Sequence, residues 1–192
     1  MLVSPAQARR EAAHLARLRL QANPCFLDTE TTGLGSQDEI IEVCLLDAEG
    51  SVLFETLVRP TRPIPMDAVA LHGITDAAVA ASPSWPDVWP SLRELMQSRS
   101  VGVYNAEFDT RLLAQTLARH GLTEAVDTTR FFCLMLLYAQ FRGEWDASRR
   151  SFRWHSLEAA RRQVGLDLPN AHRARDDALL ARALLHAMAS AS

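Results

Sequence analysis

The sequence predicts an α/β fold: one mixed sheet flanked by helices in a single layered domain. Three observations predict it. Apolar runs at residues 25–28, 40–46 and 52–58 follow one another through short connections, as in an antiparallel meander. Beyond residue 100, short apolar runs alternate with patterns of helical period, as in parallel strand–helix units. No repeat, low-complexity block or second domain interrupts the 192 residues, a length that suits one core.

In chain order, Ser4-Pro5 reads as an N-cap followed by the first helical residue. The helix runs to about Gln21 with Ala12, Leu15 and Leu18 as its apolar stripe, and Asn23-Pro24 stops it. Residues 1–22 thus form an N-terminal helical extension and residues 23–192 the main domain. The run at 40–46 is almost continuously apolar, as expected of a strand buried on both faces. Val52, Phe54, Thr56 and Val58 alternate as a third strand. Pro60, Pro63 and Pro65 mark a loop. Short helices follow near 66–71 and 75–80, and Ser84 caps a longer one over 85–97. A fourth strand at 101–104 leads into a helix over 106–120, with Phe108, Leu112, Leu113, Thr116 and Leu117 near one face. A fifth strand is expected at 125–127 and an apolar helix at 130–140. An irregular stretch rich in aromatics and Arg spans 141–154, and helices at 155–164 and 174–189 close the chain.

Composition narrows the function classes. Apolar residues make up 48% of the chain, which marks a globular protein. No apolar run reaches the 18 or so residues of a membrane span, and the N-terminus lacks the apolar stretch of a signal peptide. A cytoplasmic protein with no membrane partner is expected. Cys25, Cys44 and Cys133 sit inside apolar runs, which suits buried thiols rather than disulfides or a zinc site. Net charge is −3, so there is no global basic field. All 20 cationic residues are Arg, and eight of them fall between Arg142 and Arg175 against four acids. A local basic face for phosphates and an ordinary solvated surface both fit that stretch.

Three separated segments supply carboxylates. In FLDTETTGL, residues two apart on a strand share a face, so Asp28 and Glu30 project together where the strand opens into a Thr/Gly loop. Carboxylates held side by side repel, and a bound cation relieves that. In YNAEFDTRLL, Asp109 lies in the first turn of a helix with Asn105 as its N-cap candidate. In HRARDDA, a helix begins at Asn170 or His172 with Asp177 inside it. Five residues separate His172 and Asp177 by about 140° on a helical wheel. If Asp177 faces the sheet, His172 belongs in the preceding loop, free to swing.

Taken together the segments resemble the DEDDh class of 3′→5′ exonucleases, of which the proofreading subunits of bacterial replicative polymerases are members. The resemblance spans roughly residues 25–187. Asp28 and Glu30 match the first motif, Asp109 the second, and Asp177 with His172 the third; Leu71-His72-Gly73-Ile74-Thr75 looks like a segment these enzymes carry between the first two. It implies a ribonuclease-H-like five-stranded sheet and hydrolysis with two Mg²⁺, for which Mn²⁺ should substitute. Asp28 would bridge both ions, Glu30 and Asp177 would bind chiefly the nucleophile-side ion, and Asp109 would act on the other, partly through water. His172 would be the general base, since an imidazole ordinarily titrates near neutrality. Thr31, Thr32, Gly33 and Leu34 would hold the terminal nucleotide, with His72, Asn105 and Phe108 near the same pocket. Trp145, Arg149, Arg150, Arg153 and Trp154 are candidates for single-strand contacts, because aromatics interleaved with Arg stack bases and meet phosphates.

The leading expectation is a stand-alone enzyme degrading single-stranded DNA 3′ ends to nucleoside 5′-monophosphates. RNA 3′-end trimming is the alternative, because the motifs do not read the 2′-OH. A non-catalytic nucleic-acid-binding module is disfavoured by the full set of acids. Fifteen residues follow Asp177, so no C-terminal polymerase-binding tail is expected, although residues 1–22 could dock a partner.

Overall fold

The computed structural model describes residues 4–168 and 171–191. Helix α1 (Pro5–Gln21) precedes a meander of β1 (Cys25–Thr31), β2 (Ile40–Leu46) and β3 (Val52–Leu57). Then come α2 (Met66–His72), α3 (Asp76–Val79), α4 (Trp85–Met96), β4 (Val101–Val103), α5 (Ala106–Arg119), β5 (Phe131–Cys133) and α6 (Leu134–Arg142). A small hairpin, β6 (Trp145–Asp146) and β7 (Ser151–Phe152), is followed by α7 (Leu157–Val164) and α8 (Ala174–Ala189). The main sheet has the order β3-β2-β1-β4-β5. β1 pairs antiparallel with β2 and parallel with β4, and β4 pairs parallel with β5. This is the mixed five-stranded sheet that the sequence predicts.

Alternation along β1 and β2 divides the core. Phe26, Cys44 and Leu46 pack on one face under α1, α6 and α8; Leu27, Val43 and Leu45 pack on the other under α4 and α5. Strand β4 passes through the centre in three residues, and its middle residue must be small. A Cβ on Gly102 would stand 2.7 Å from Phe132 Cζ and 3.1 Å from Phe26 Cδ1.

Three local expectations need correction. The fifth strand is 131–133, not 125–127. Phe131, Phe132 and Cys133 favour a strand and pair with β4, so α6 starts four residues later than the apolar run suggests. Asp127 instead caps the turn at 128–130, accepting from Thr129 N at 3.2 Å and Thr129 Oγ1 at 2.6 Å. In α1, Ala12 is buried as expected, but Leu15 and Leu18 are exposed. The packing ridge is Ala8, Ala12, Ala13 and Ala16, small residues that let α1 lie close to α6 and α8. Finally, residues 141–154 contain a hairpin rather than only irregular chain, with Trp145 edge-on to Phe152 at 5.4 Å. Cys25 and Cys44 are buried, and Cys133 is partly so. Among the described residues no helix is long and apolar enough to cross a membrane.

Candidate active site

The site forms at the carboxyl end of β1. Strand alternation puts Asp28 and Glu30 on the Phe26 face, beneath α8, and Thr29 on the opposite face, toward α5. Asp177, in the first turn of α8, completes a group with Asp28 and Glu30 whose ligand oxygens all lie within 4.8 Å of one another. Asp109, buried in the first turn of α5, is held beside them: Thr29 Oγ1 donates to its Oδ1 at 2.8 Å. The helices bearing these acids both follow a residue with left-handed φ, Asn105 at 70° and His172 at 48°. Such residues reverse the chain tightly, and Asn and His tolerate the conformation better than most.

Asn105 stands at the N-cap position of α5, but its side chain makes no capping bond, and it lines neither cleft described below. The cap of α8 is Arg173, so His172 lies in the exposed loop before it; Asn170 falls outside the described residues. Sequence reasoning missed the groups that seat α8. Glu42 on β2 sits opposite Glu30 and is 3% exposed. It accepts from Ala174 N at 2.9 Å and from Arg173 Nε at 3.1 Å, with a further short contact to the same guanidinium. The first orphan N–H of α8 is thereby satisfied, and the start of the helix that carries Asp177 is tied to β2. An acid inside the apolar run IIEVCLL was the signal.

Burial and mutual repulsion dominate the electrostatics. Desolvation raises Asp28 well above the usual carboxylate range, and the charges of Asp109, Asp177 and Glu30 push it further. Desolvation and then Asp177 and Glu42 raise Glu30 to about 8. Asp109 is raised to about 7 by burial, against the pull of the Thr29 hydroxyl. Asp177 is raised to about 6 by burial, against the pull of nearby His172. Four acids that resist ionising together form an all-oxygen donor set that a divalent cation would stabilise.

Two clefts meet at these acids, sharing Asp28, Tyr104, His172 and Asp177. One, about 530 Å³, runs toward α2 and α5 past Thr31, Gly33, Leu34, Leu71, His72 and Phe108. Leu34 is 79% exposed, an apolar side chain presented to the cleft. Phe108 is half-buried, with the Arg111 guanidinium 5.2 Å from its ring centre. Ile74 N donates to His72 Nδ1 at 3.0 Å, which places the ring proton on Nε2, a buried atom that faces the backbone of Thr31. Thr31 Oγ1 donates to Gly33 O at 2.8 Å. Thr32, expected at the nucleotide, does not line the cleft. Its hydroxyl donates to Asp38 Oδ1 at 2.8 Å and closes the loop. Gly33 leaves room for that Asp38 carboxylate, which a Cβ would approach to 2.8 Å. Three residues one turn apart on α5 clamp the same loop. Arg111 donates to Leu34 O, Gln115 to Gly35 O and Asp38 O, and Arg119 to Gln37 Oε1.

The second cleft, about 1030 Å³, runs toward α7 past Ser156, Leu157, Arg161, Arg162 and Leu168. Trp145, Arg149, Arg150, Arg153 and Trp154, the sequence candidates for strand contacts, line neither cleft. They surround the β6–β7 hairpin, Arg150 with φ 53° in its turn. Of the two readings open for the Arg-rich stretch 142–175, a basic face or an ordinary solvated surface, the ion pairs favour the second. Arg142 pairs with Glu144, Arg149 with Asp146, Arg161 and Arg162 with Glu158, Arg173 with Glu42, and Arg175 with Glu55.

The chain is similar to known proteins in sequence and fold. A family model described as exonuclease matches residues 25–185. An uncharacterised exonuclease of Escherichia phage 186 is 39% identical over 181 residues, 91% of this chain and 92% of the relative. DNA polymerase III subunit epsilon of Treponema pallidum is 31% identical over 168 residues, 84% of this chain and 74% of the relative. A solved structure described as exonuclease X in complex with 5′-overhanging duplex DNA superposes with a TM-score of 0.62 at 30% identity, covering 85% of this chain and 90% of that one.

Proposed function

The chain belongs to the exonuclease family, and we propose that it is a two-metal 3′→5′ exonuclease that releases nucleoside 5′-monophosphates from single-stranded DNA 3′ ends. The observation that carries this reading is the convergence of Asp28, Glu30 and Asp177 within 4.8 Å. Buried Asp109 stands beside them and exposed His172 lines the same cleft. The donor set fits Mg²⁺ or Mn²⁺: carboxylate oxygens only, acids whose mutual repulsion on ionising a cation would relieve, and an open side toward solvent. Bound there, two such cations would supply activation of the attacking water and charge neutralisation on the leaving 3′-oxygen.

The protein groups do the rest. Asp28 and Asp177 hold the centre, and Asp109, tied to Thr29, is the acid set furthest toward α5. His172 takes the proton of the attacking water; its exposed loop lets the ring reach the phosphate and withdraw. Leu34 and Phe108 offer apolar surface to the terminal base, and the backbone at Thr31 and Gly33 borders its sugar. A nucleotide without a free 3′ end would have to pass through that bounded cleft, which supports cutting from the end. DNA is favoured because the relative at 30% identity is described with a DNA duplex.

The test compares 3′-labelled single-stranded DNA, duplex DNA and RNA of one sequence with Mg²⁺, Mn²⁺ and EDTA. Stepwise mononucleotide release from single-stranded DNA, abolished by EDTA, is the expected result. Activity that survives EDTA would refute the metal reading, and faster release from RNA would refute the DNA preference.

A further inference from the structure

We infer that the α7 cleft is the path of the nucleic-acid strand on the 5′ side of the scissile phosphate, with Arg161 and Arg162 as its phosphate contacts; this rests on the exonuclease reading above. A phosphodiester at the acids has two neighbours. The terminal nucleoside lies on one side and the rest of the strand on the other. The Leu34 cleft, about 530 Å³ and bounded by α2 and α5, takes the first. The strand must then leave the acids in a different direction. The second cleft, about 1030 Å³, begins at the same Asp28, His172 and Asp177 and diverges toward α7. Tyr104 stands on the border of both, its hydroxyl fixed by donation to His155 O at 2.7 Å.

The chemistry of the second cleft suits a backbone rather than a base. Two guanidiniums converge on one carboxylate. Arg161 Nε reaches Glu158 Oε2 at 2.7 Å, and Arg162 Nε reaches Glu158 Oε1 at 2.5 Å. Together they hold Glu158 down to about 2. The same planar forks accept phosphate as readily as carboxylate, so a strand phosphate can join or replace Glu158. Arg162, though paired with Glu158, is largely exposed, so its guanidinium is open to a strand phosphate. Glu158 and Asp167 also border the cleft and keep its resting field modest. The aromatic and Arg residues of the β6–β7 hairpin have no such access to the acids.

The test uses the full chain with Mn²⁺ and two substrates. The 4-nitrophenyl ester of thymidine 5′-monophosphate fills the terminal-nucleotide cleft and places only an uncharged leaving group at the mouth of the other, with no second phosphate; an oligothymidylate of a dozen residues fills both. Arg162→Ala and Arg161→Ala/Arg162→Ala are compared with the parent. We expect oligothymidylate KM to rise by about 3-fold for the single and about 10-fold or more for the double variant, with a salt dependence shallower by about 0.7 in log–log slope per lost contact. The ester should be hydrolysed at an unchanged kcat/KM. Equal losses on both substrates, or no loss on the oligonucleotide, would overturn the assignment. Arg161 also donates to Leu166 O at 3.2 Å, so if the double variant misfolds, Arg162→Ala decides. If the parent cuts neither substrate, the proposed function fails instead. The cleft is then judged by anisotropy of a labelled oligothymidylate, which Arg162→Ala must still weaken.

Discussion

Replacing Glu30 by Gln should stabilise the metal-free protein while removing a metal ligand. Glu30 is 9% exposed and its carboxyl is raised from 4.5 to about 8, by desolvation first and then by Asp177 and Glu42. Because the folded value lies above the unfolded one, the native state binds more protons between pH 4.5 and 8. Stability from this group is therefore complete below about pH 4.5 and is lost as pH rises through 8. pH 7 lies 2.5 units above the unfolded carboxyl's ordinary 4.5, and a folded group still protonated there costs the native state about 3 kcal/mol. Glu30→Gln removes that opposition and also relieves Asp177. Urea denaturation in EDTA at pH 4.5, 6, 7 and 8 should show the variant gaining on the parent as pH rises, to at most about 3 kcal/mol near neutrality. Added Mn²⁺ should stabilise the parent most at pH 8 and the variant less. A variant no more stable than the parent at pH 8, or an increment that does not grow with pH, would refute the reasoning.

Asp28→Ala and Asp177→Ala should each abolish Mg²⁺-dependent nucleotide release, read as loss of product from labelled DNA. His172→Ala should lower kcat by about 10² to 10⁴ while Mn²⁺ still raises the melting temperature, which calorimetry can check. Gln115→Ala removes one donor from each of the Gly35 and Asp38 carbonyls and should loosen the loop carrying Leu34, raising KM several-fold with little change in kcat. Steady-state kinetics on a short oligonucleotide separates the two, and Gln115→Glu, which cannot donate to the carbonyls, should behave like Ala. Replacing Arg149, Arg150 and Arg153 together should leave both KM and salt dependence unchanged, because none borders the clefts.

The elements with strong periodicity were legible in the sequence, and the miscast ones were decided by pairing. The almost continuously apolar β2 and the helices α5 and α8 stand close to where their patterns place them. Residues 131–133 belong to an apolar run whose period suits a helix as well as a strand. Only the open parallel edge of β4 decides between them, and that edge exists only in three dimensions. Leu15 and Leu18 look like a packing stripe for the same reason. What α1 meets is α6 and α8 at close range, and there Ala fits where Leu does not.

At the site, the acids were readable because chemistry requires those residue types, whereas the groups that aim them were not. Thr29 has no motif of its own; it matters because alternation turns its hydroxyl toward α5 while its neighbours face α8. Glu42 reads as an interruption in a strand until α8 is set above it. Its carboxylate then joins three tasks: it caps the helix, anchors Arg173 and adds repulsion to Glu30. A fold that buries a fifth carboxylate beside four others spends stability in order to hold Asp177 over β1. It follows that Glu42→Gln should ease Glu30 toward ionisation yet loosen the start of α8. Metal affinity and helix position should therefore change in opposite directions in that variant. A titration of Mn²⁺ binding beside hydrogen exchange at Ala174 would separate them; protection at Ala174 equal to the parent's would show that Glu42 does not seat the helix.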